Sequence, residues 1–128
     1  MVESNRTNDF QEKIATVSSG GNPLIVKILS GNTDSEIINL NGCNLIRFEL
    51  PAVFTGTIIS FKASCDDGIT YTDLYRTGDD TLIVTPVTAG RQYVMVPQDL
   101  AGVQKLIIKS NASESAERII KLVARTLS

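Results

Sequence analysis

The chain has 128 residues, of which 42% are hydrophobic, a formal net charge of −2, two cysteines, and no histidine or tryptophan. This length bounds the chain to one domain that can bury a core, and the apolar content excludes an intrinsically disordered protein. The lack of histidine excludes Ser-His-Asp and Cys-His catalysis and the commonest zinc and non-haem iron sites, while the near-neutral charge argues against a nucleic-acid-binding protein.

The N-terminal segment differs in composition from the rest of the chain. Phe10, Ile14 and Val17 have the spacing of a helical stripe, although the same stretch also alternates like a short strand. Residues 18–23 are typical of a turn or linker because they combine serine, glycine, asparagine and proline. We therefore predict an arm over residues 1–23, which is either an interaction arm or a frayed terminus.

No targeting or membrane segment is visible in the sequence. The N-terminus lacks the apolar stretch of a signal peptide, and no apolar run approaches the roughly 20 residues that a membrane span needs. Cys43 and Cys65 are too few for a disulfide scaffold. Because we expect synthesis in a reducing cytoplasm, two free thiols are favoured over a single bridge between them.

From residue 24 onward, short apolar or alternating segments are separated by turn residues. Ile46, Phe48 and Leu50 show the alternation most clearly, since they share one face of a segment that a proline then ends. The nine predicted strands cover residues 24–29, 36–40, 44–50, 57–64, 69–75, 81–85, 91–96, 103–109 and 118–125.

The connections between these segments support the same fold class. Asp66, Asp67 and Gly68 form a strong hairpin signal because glycine accepts the positive φ of such turns, and residues 98–102 predict one helical turn. Regular short strands with polar turns predict an all-β domain of eight to nine strands over residues 24–128, a sandwich or a barrel. Two antiparallel sheets with facing apolar rows are the natural arrangement at this length.

Several segments, taken together, resemble one protein family. They are a turn with the pattern LxG, a strand ending at Pro-Ala, a hairpin with the pattern IxFxASxDxG, an aromatic segment ending in Asp-Leu-Tyr, and two late strands. In this order they resemble the small jelly-roll β-sandwich proteins of tailed bacteriophage virions, over roughly residues 24–125. Tyr71 stands where that family has a tryptophan. The segments cover residues 38–42, 45–52, 59–68, 71–75, 106–110 and 119–125.

This resemblance implies a non-enzymatic structural protein without cofactor or metal. The family includes capsid decoration (cement) proteins, head-fibre bases, and tail or neck accessory proteins. We expect a decoration protein that binds and stabilises the head, with the major capsid protein or other virion proteins as partners. The resemblance further implies a homo-oligomer, a trimer, that binds neither nucleic acid nor membrane. Such a protein is synthesised in the bacterial host cytoplasm and resides in the virion.

The arm supplies the predicted contact residues. Phe10, Ile14 and Val17 are apolar within a polar segment, and an interface would explain them. On this hypothesis, truncating residues 1–21 abolishes capsid binding and leaves the sandwich folded.

The alternative function is a head-fibre or tail module that binds host-surface glycans. Tyr71 and Tyr75 are separated by an even number of residues, so a regular strand would present both rings on one face. Such a pair is a possible sugar-stacking platform, but a core or inter-subunit stripe explains it better in a chain with 5% aromatic residues.

Acidic clusters have ordinary explanations in the sequence. Asp66, Asp67 and Asp73 suggest a calcium loop, yet turn chemistry explains the first two without a metal. Glu36, Glu49 and Asp73 lie on predicted strands, where solvated faces account for them better than a hydrolase carboxylate pair does.

A basic stretch closes the chain. It lacks the interleaved aromatic residues of a nucleic-acid platform. It predicts a solvated sheet face, or a basic patch that meets an acidic capsid surface. Its members are Lys105, Lys109, Arg118, Lys121 and Arg125.

Overall fold

Twelve short strands and one 3₁₀ turn make up the part of the chain that the computed structural model describes, residues 14–100 and 102–126. The 3₁₀ turn covers Pro97–Leu100. The strands are β1 Ile14–Thr16, β2 Gly21–Ile28, β3 Ile37–Asn39, β4 Asn44–Glu49, β5 Ile58–Ala63, β6 Thr72–Asp73, β7 Tyr75–Arg76, β8 Thr81–Leu82, β9 Val84–Pro86, β10 Gln92–Val94, β11 Lys105–Ser110 and β12 Arg118–Arg125.

The strands form two main sheets and a small hairpin. Sheet 1 has the order β1-β3-β11-β5-β6, with β9 also paired to β5, and sheet 2 has the order β10-β4-β12-β2. All pairs are antiparallel except the parallel pair of β1 and β3. From β2 to β5, and again from β10 to β12, successive strands alternate between the sheets, and β2 pairs with β12. This connectivity is that of a jelly roll, and it confirms the predicted all-β antiparallel sandwich.

The core lies between the two sheets. In β11, Leu106 and Ile108 are fully buried, while Ile107 between them lies on the outer face, as the alternation of a strand requires. Phe48 of sheet 2 and Phe61 of sheet 1 are the largest fully buried side chains. The ring of Phe48 lies 5.6 Å from that of Tyr93, between centroids.

The predicted segment 69–75 is divided at Leu74. The Leu74 amide donates to the Phe61 carbonyl at 3.0 Å, and its own carbonyl accepts from the Ile83 amide at 3.0 Å. The Leu74 side chain packs against the core. The chain therefore leaves sheet 1 after β6 and forms β7, which pairs with β8 in a separate hairpin.

Residues 14–16 and 21–23 belong to the two sheets, and residues 17–20 connect them. β1 pairs with β3, and Val17, fully buried in the core, donates its amide to the Asn39 carbonyl at 2.9 Å. β2 begins at Gly21, which is opposite Arg125. Gly21 has φ of +107°, and a Cβ there would meet the backbone of residues 124 and 125. This close approach explains a glycine that composition assigns to a linker.

Both cysteines are free thiols, with Cys43 buried and Cys65 exposed. Cys43 belongs to the core cluster, whereas Cys65 lies in the turn that follows β5. No helix among the described residues is long and apolar enough to cross a membrane.

One buried carboxylate joins two loops at an end of the sandwich. Glu114 accepts hydrogen bonds from the amides of Thr55 at 2.9 Å and Gly56 at 3.1 Å, and from Arg118 Nε at 2.8 Å. Burial by itself would raise the pKa of Glu114, but the bonds from Arg118 and the two amides outweigh it and lower that pKa below its ordinary value. Glu114 is thus held ionised inside the fold.

Candidate interaction surface

The outer face of sheet 2 presents large apolar side chains to solvent. Ile25 on β2 is 56% exposed, Val94 on β10 is 78% exposed, and Ile119 on β12 is 41% exposed. Strand alternation explains their position, because neighbours such as Val26 and Ile120 point into the core and are fully buried. The alternation thus places apolar residues on the outer side of sheet 2 as well as in the core.

The strand register arranges this surface in rows across the sheet. One row runs from Val94 through Arg47 and Val123 to Pro23, and the next from Gln92 through Glu49 and Lys121 to Ile25. Lys27 lies opposite Ile119, and Arg125 lies at the end of β12. We call this surface the sheet 2 face. It comprises Pro23, Ile25, Lys27, Arg47, Glu49, Gln92, Val94, Ile119, Lys121, Val123 and Arg125.

The sheet 2 face is a shallow surface. A depression of about 360 Å³ lies at one side and is lined in part by Pro51, Gly90 and Ile119. A second depression of about 180 Å³ adjoins it, and both are lined by Glu49 and Lys121. Both depressions are partly open to solvent, so an extended partner surface could cover them together.

The charges of the sheet 2 face are mostly positive. Its ionised side chains are Lys27, Arg47, Lys121 and Arg125, against the single carboxylate of Glu49. Lys27 is 3.7 Å from Glu117. Among the described residues, Arg47, Lys121 and Arg125 have no carboxylate within 4.0 Å. The surface therefore combines exposed apolar groups with cations that are not neutralised within the described chain.

The predicted arm contacts are distributed differently. Phe10 lies outside the described residues. Ile14 is 45% exposed on the outer side of β1, opposite Ile37 in sheet 1, whereas Val17 is fully buried in the core. The structure thus does not bring Ile14 and Val17 to one surface, because they are three residues apart on a strand-like segment and point to opposite sides.

The two tyrosines of the glycan alternative do not share a regular strand. Tyr71 precedes β6 in sheet 1, and Tyr75 begins β7 in the hairpin, with Leu74 interrupting the strand between them. Tyr75 is 55% exposed. Tyr71 is half-buried, and burial, with the charges of Asp66 and Asp67, raises the pKa of its hydroxyl. The even spacing of the two tyrosines does not place them on one face, because that relation holds only along one uninterrupted strand.

In the acidic turn after β5, the carboxylate of Asp66 is hydrogen-bonded to other residues of the same turn. Asp66 accepts hydrogen bonds from the hydroxyl of Thr70 at 2.6 Å, the amide of Thr70 at 2.9 Å and the hydroxyl of Ser64 at 2.7 Å. These bonds lower the pKa of Asp66 to about 2. Asp67, with φ of +61°, lies 3.5 Å from Lys105 Nζ. Within residues 14–100 and 102–126, no three His, Cys, Asp or Glu side chains are placed to hold a metal ion.

The three carboxylates considered for hydrolysis lie apart. Glu49 belongs to the sheet 2 face. Asp73 is on β6 in sheet 1, opposite Lys62. Glu36 accepts a hydrogen bond from the Lys27 amide at 3.1 Å beside the edge of β2. The structure brings no two of these three carboxylates together.

Sequence reasoning missed most of the sheet 2 face. It assigned Glu49 to a solvated face and grouped Lys121 with the C-terminal cations, but it did not connect them to Val94 or Ile25. The signal was the alternation of β4, β10 and β12 taken together. That signal becomes useful only with the strand order, because these strands are distant in sequence.

Comparisons with known proteins give limited similarity. No protein-family model matches the chain, and no curated protein matches it. Among solved structures, the chain is similar to the crystal structure of the SPBc2 prophage-derived protein YomS, with 15% sequence identity and a TM-score of 0.48. That similarity covers 80% of this chain and 95% of the YomS chain.

Proposed function

We propose that the chain is a non-enzymatic structural protein of a tailed-bacteriophage virion, a decoration protein that binds the major capsid protein on the outside of the head. The observation that carries this proposal is the sheet 2 face, with Ile25, Val94 and Ile119 exposed on the outer side of the sheet. The jelly-roll strand order and the sequence resemblance to small virion proteins support the same function.

The proposed mechanism is burial of surface rather than chemistry. Specific protein interfaces bury on the order of 1,200–2,000 Å² in total. The sheet 2 face has apolar residues on three of its four strands, with charged residues between them, and these apolar residues would supply part of such an interface. A homotrimer of such domains would attach to several capsid subunits at once, and this multivalency would stiffen the shell without a catalytic site.

The test is binding to heads of the encoding phage from which this protein has been stripped or deleted. Purified wild-type chain is expected to co-sediment with these heads, and Val94→Asp to lose binding by roughly tenfold or more, because a carboxylate replaces an exposed apolar contact. The matched control is Val84→Asp, which changes an exposed valine on sheet 1 in the same way.

Three outcomes are informative. Binding that is lost in Val94→Asp and kept in Val84→Asp supports the proposal. Equal loss or equal retention in the two variants would show that the sheet 2 face is not the attachment surface. If the wild-type chain binds to the tails or fibres of purified particles rather than to their heads, the protein is an accessory protein and not a decoration protein.

A further inference from the structure

We infer that the sheet 2 face docks onto an acidic, partly apolar surface of the capsid protein, and that Arg47 and Lys121 recognise its carboxylates. This inference rests on the proposed function and names the chemistry of the partner. It begins from the way the fold sorts the basic residues.

The fold separates the C-terminal cations into three groups. Lys105 and Lys109 lie on β11 in sheet 1, and Arg118 is held by the buried Glu114 at 2.8 Å. Only Lys121 and Arg125 reach the sheet 2 face, on β12. The basic stretch is therefore not one patch, and the part available to a partner at this face is smaller than the sequence indicates.

Arg47 joins these two cations from another strand. It lies on β4 between Val94 and Val123 in its row, and no carboxylate of the described residues lies within 4.0 Å of its guanidinium. A guanidinium can form two parallel hydrogen bonds with a carboxylate, and apolar surroundings strengthen such a pair once water is removed. This arrangement suits recognition of an acidic residue within an apolar contact.

The same charges disfavour a second copy as the occupant. Two sheet 2 faces packed on each other around a two-fold axis would bring together six cations that have no carboxylate within 4.0 Å among the described residues, three from each copy, against two copies of Glu49. Like charges brought together in an interface are destabilising. An acidic partner meets no such penalty, so the charge of the face selects a different protein surface.

The edge of sheet 2 is less available than its face. β2 is an outer strand, and Pro23 has no amide hydrogen to offer a new strand. The Glu36 side chain accepts from the Lys27 amide at 3.1 Å, and the Glu36 amide donates to the Lys27 carbonyl at 2.9 Å. These features protect the β2 edge against strand addition, so a partner is expected to pack on the face rather than to add a strand beside β2.

The test compares charge reversals on the two sheets. Arg47→Glu and Lys121→Glu are each expected to weaken co-sedimentation with protein-free heads by roughly tenfold or more. The matched control, Lys109→Glu, makes the same charge change on sheet 1 and is expected to bind like wild type. Wild-type binding should also weaken as salt is raised from about 50 mM to about 500 mM, because salt screens exposed charges. Thermal denaturation checks that all variants fold.

The outcomes separate this inference from the proposed function. If both charge-reversal variants bind heads as tightly as wild type does, the inference of an acidic partner is overturned, while the proposed decoration function is unaffected. No binding by folded wild-type chain overturns decoration and the inference with it. A stronger effect of Lys109→Glu than of Lys121→Glu would move the docking surface to sheet 1. A concentration-dependent rise in mass that both face reversals abolish would identify a second copy as the occupant and overturn the inference.

Discussion

Glu114 shows how one side chain can hold two distant loops together. It is buried and ionised, and its oxygens accept from Thr55, Gly56 and Arg118. Glu114→Gln should cost about 2–4 kcal/mol in the free energy of unfolding near neutral pH, because it leaves Arg118 buried without its counter-charge. Urea denaturation measures this cost. Glu117→Gln is the control, since its 3.7 Å pair with Lys27 is exposed and should contribute less than about 0.5 kcal/mol.

The pH dependence of stability tests the same contact. The folded-state pKa of Glu114 is lower than its ordinary value of 4.5, so the stabilisation is fully present above that value. It is lost as the pH falls through the lowered folded pKa, because protonation is easier in the unfolded chain. Wild type should therefore lose more stability than Glu114→Gln on acidification. Parallel curves for the two proteins would contradict the role given to this carboxylate.

At the scale of elements, β1 is expected to act as part of the sandwich. A chain beginning at Ile14 retains all of β1 and serves as the reference. A chain beginning at Ser18 should melt roughly 5–10 °C lower, because it loses the buried Val17 and the pairing of β1 with β3. Calorimetry of the two truncations measures this difference, and equal melting temperatures would contradict it.

The same truncations refine the arm hypothesis. Removing residues 1–21 takes away β1 and Val17 as well as the segment before them. Loss of capsid binding after that deletion would therefore include a folding effect. The chain beginning at Ile14 isolates residues 1–13, including Phe10, and its binding to heads tests their contribution directly.

The sequence was sufficient to predict the bounds of strands whose apolar and polar residues alternate clearly. β12 has the predicted bounds, 118–125, because Ile120, Leu122 and Ala124 alternate with solvent-facing residues. β1 was ambiguous because three residues give too little pattern to separate strand from helix. The break at Leu74 was not predicted, since it arises from bonds to Phe61 and Ile83 that only the tertiary fold brings near.

The residues that form the candidate interaction surface could be identified only from the complete fold. Exposure of Arg47 follows from the alternation of its own strand, but its neighbours Val94 and Val123 come from β10 and β12. No local pattern relates residues this far apart in sequence. Sequence therefore predicted which side chains point outward on each strand, and the sheet order determined which of them lie together.

For the whole molecule, the proposed trimer gives a direct expectation. Light scattering after gel filtration should report three times the mass of the chain. Ile14, an apolar residue exposed on the other sheet, would then be shielded between copies while the sheet 2 face stays available to the capsid. A monomeric mass at all concentrations would contradict a preformed trimer and would limit assembly to the capsid lattice.

The position of β12 has a consequence for the timing of synthesis. β12 lies between β4 and β2, although it leaves the ribosome after every other strand of the sandwich. Sheet 2 cannot close until it emerges, so folding is completed after translation of residue 125 rather than during it. Ile119, Lys121 and Val123 arrive on that same strand. An interrupted translation product therefore lacks both a closed sheet and the β12 part of the sheet 2 face, and on the proposed function it would not attach to heads.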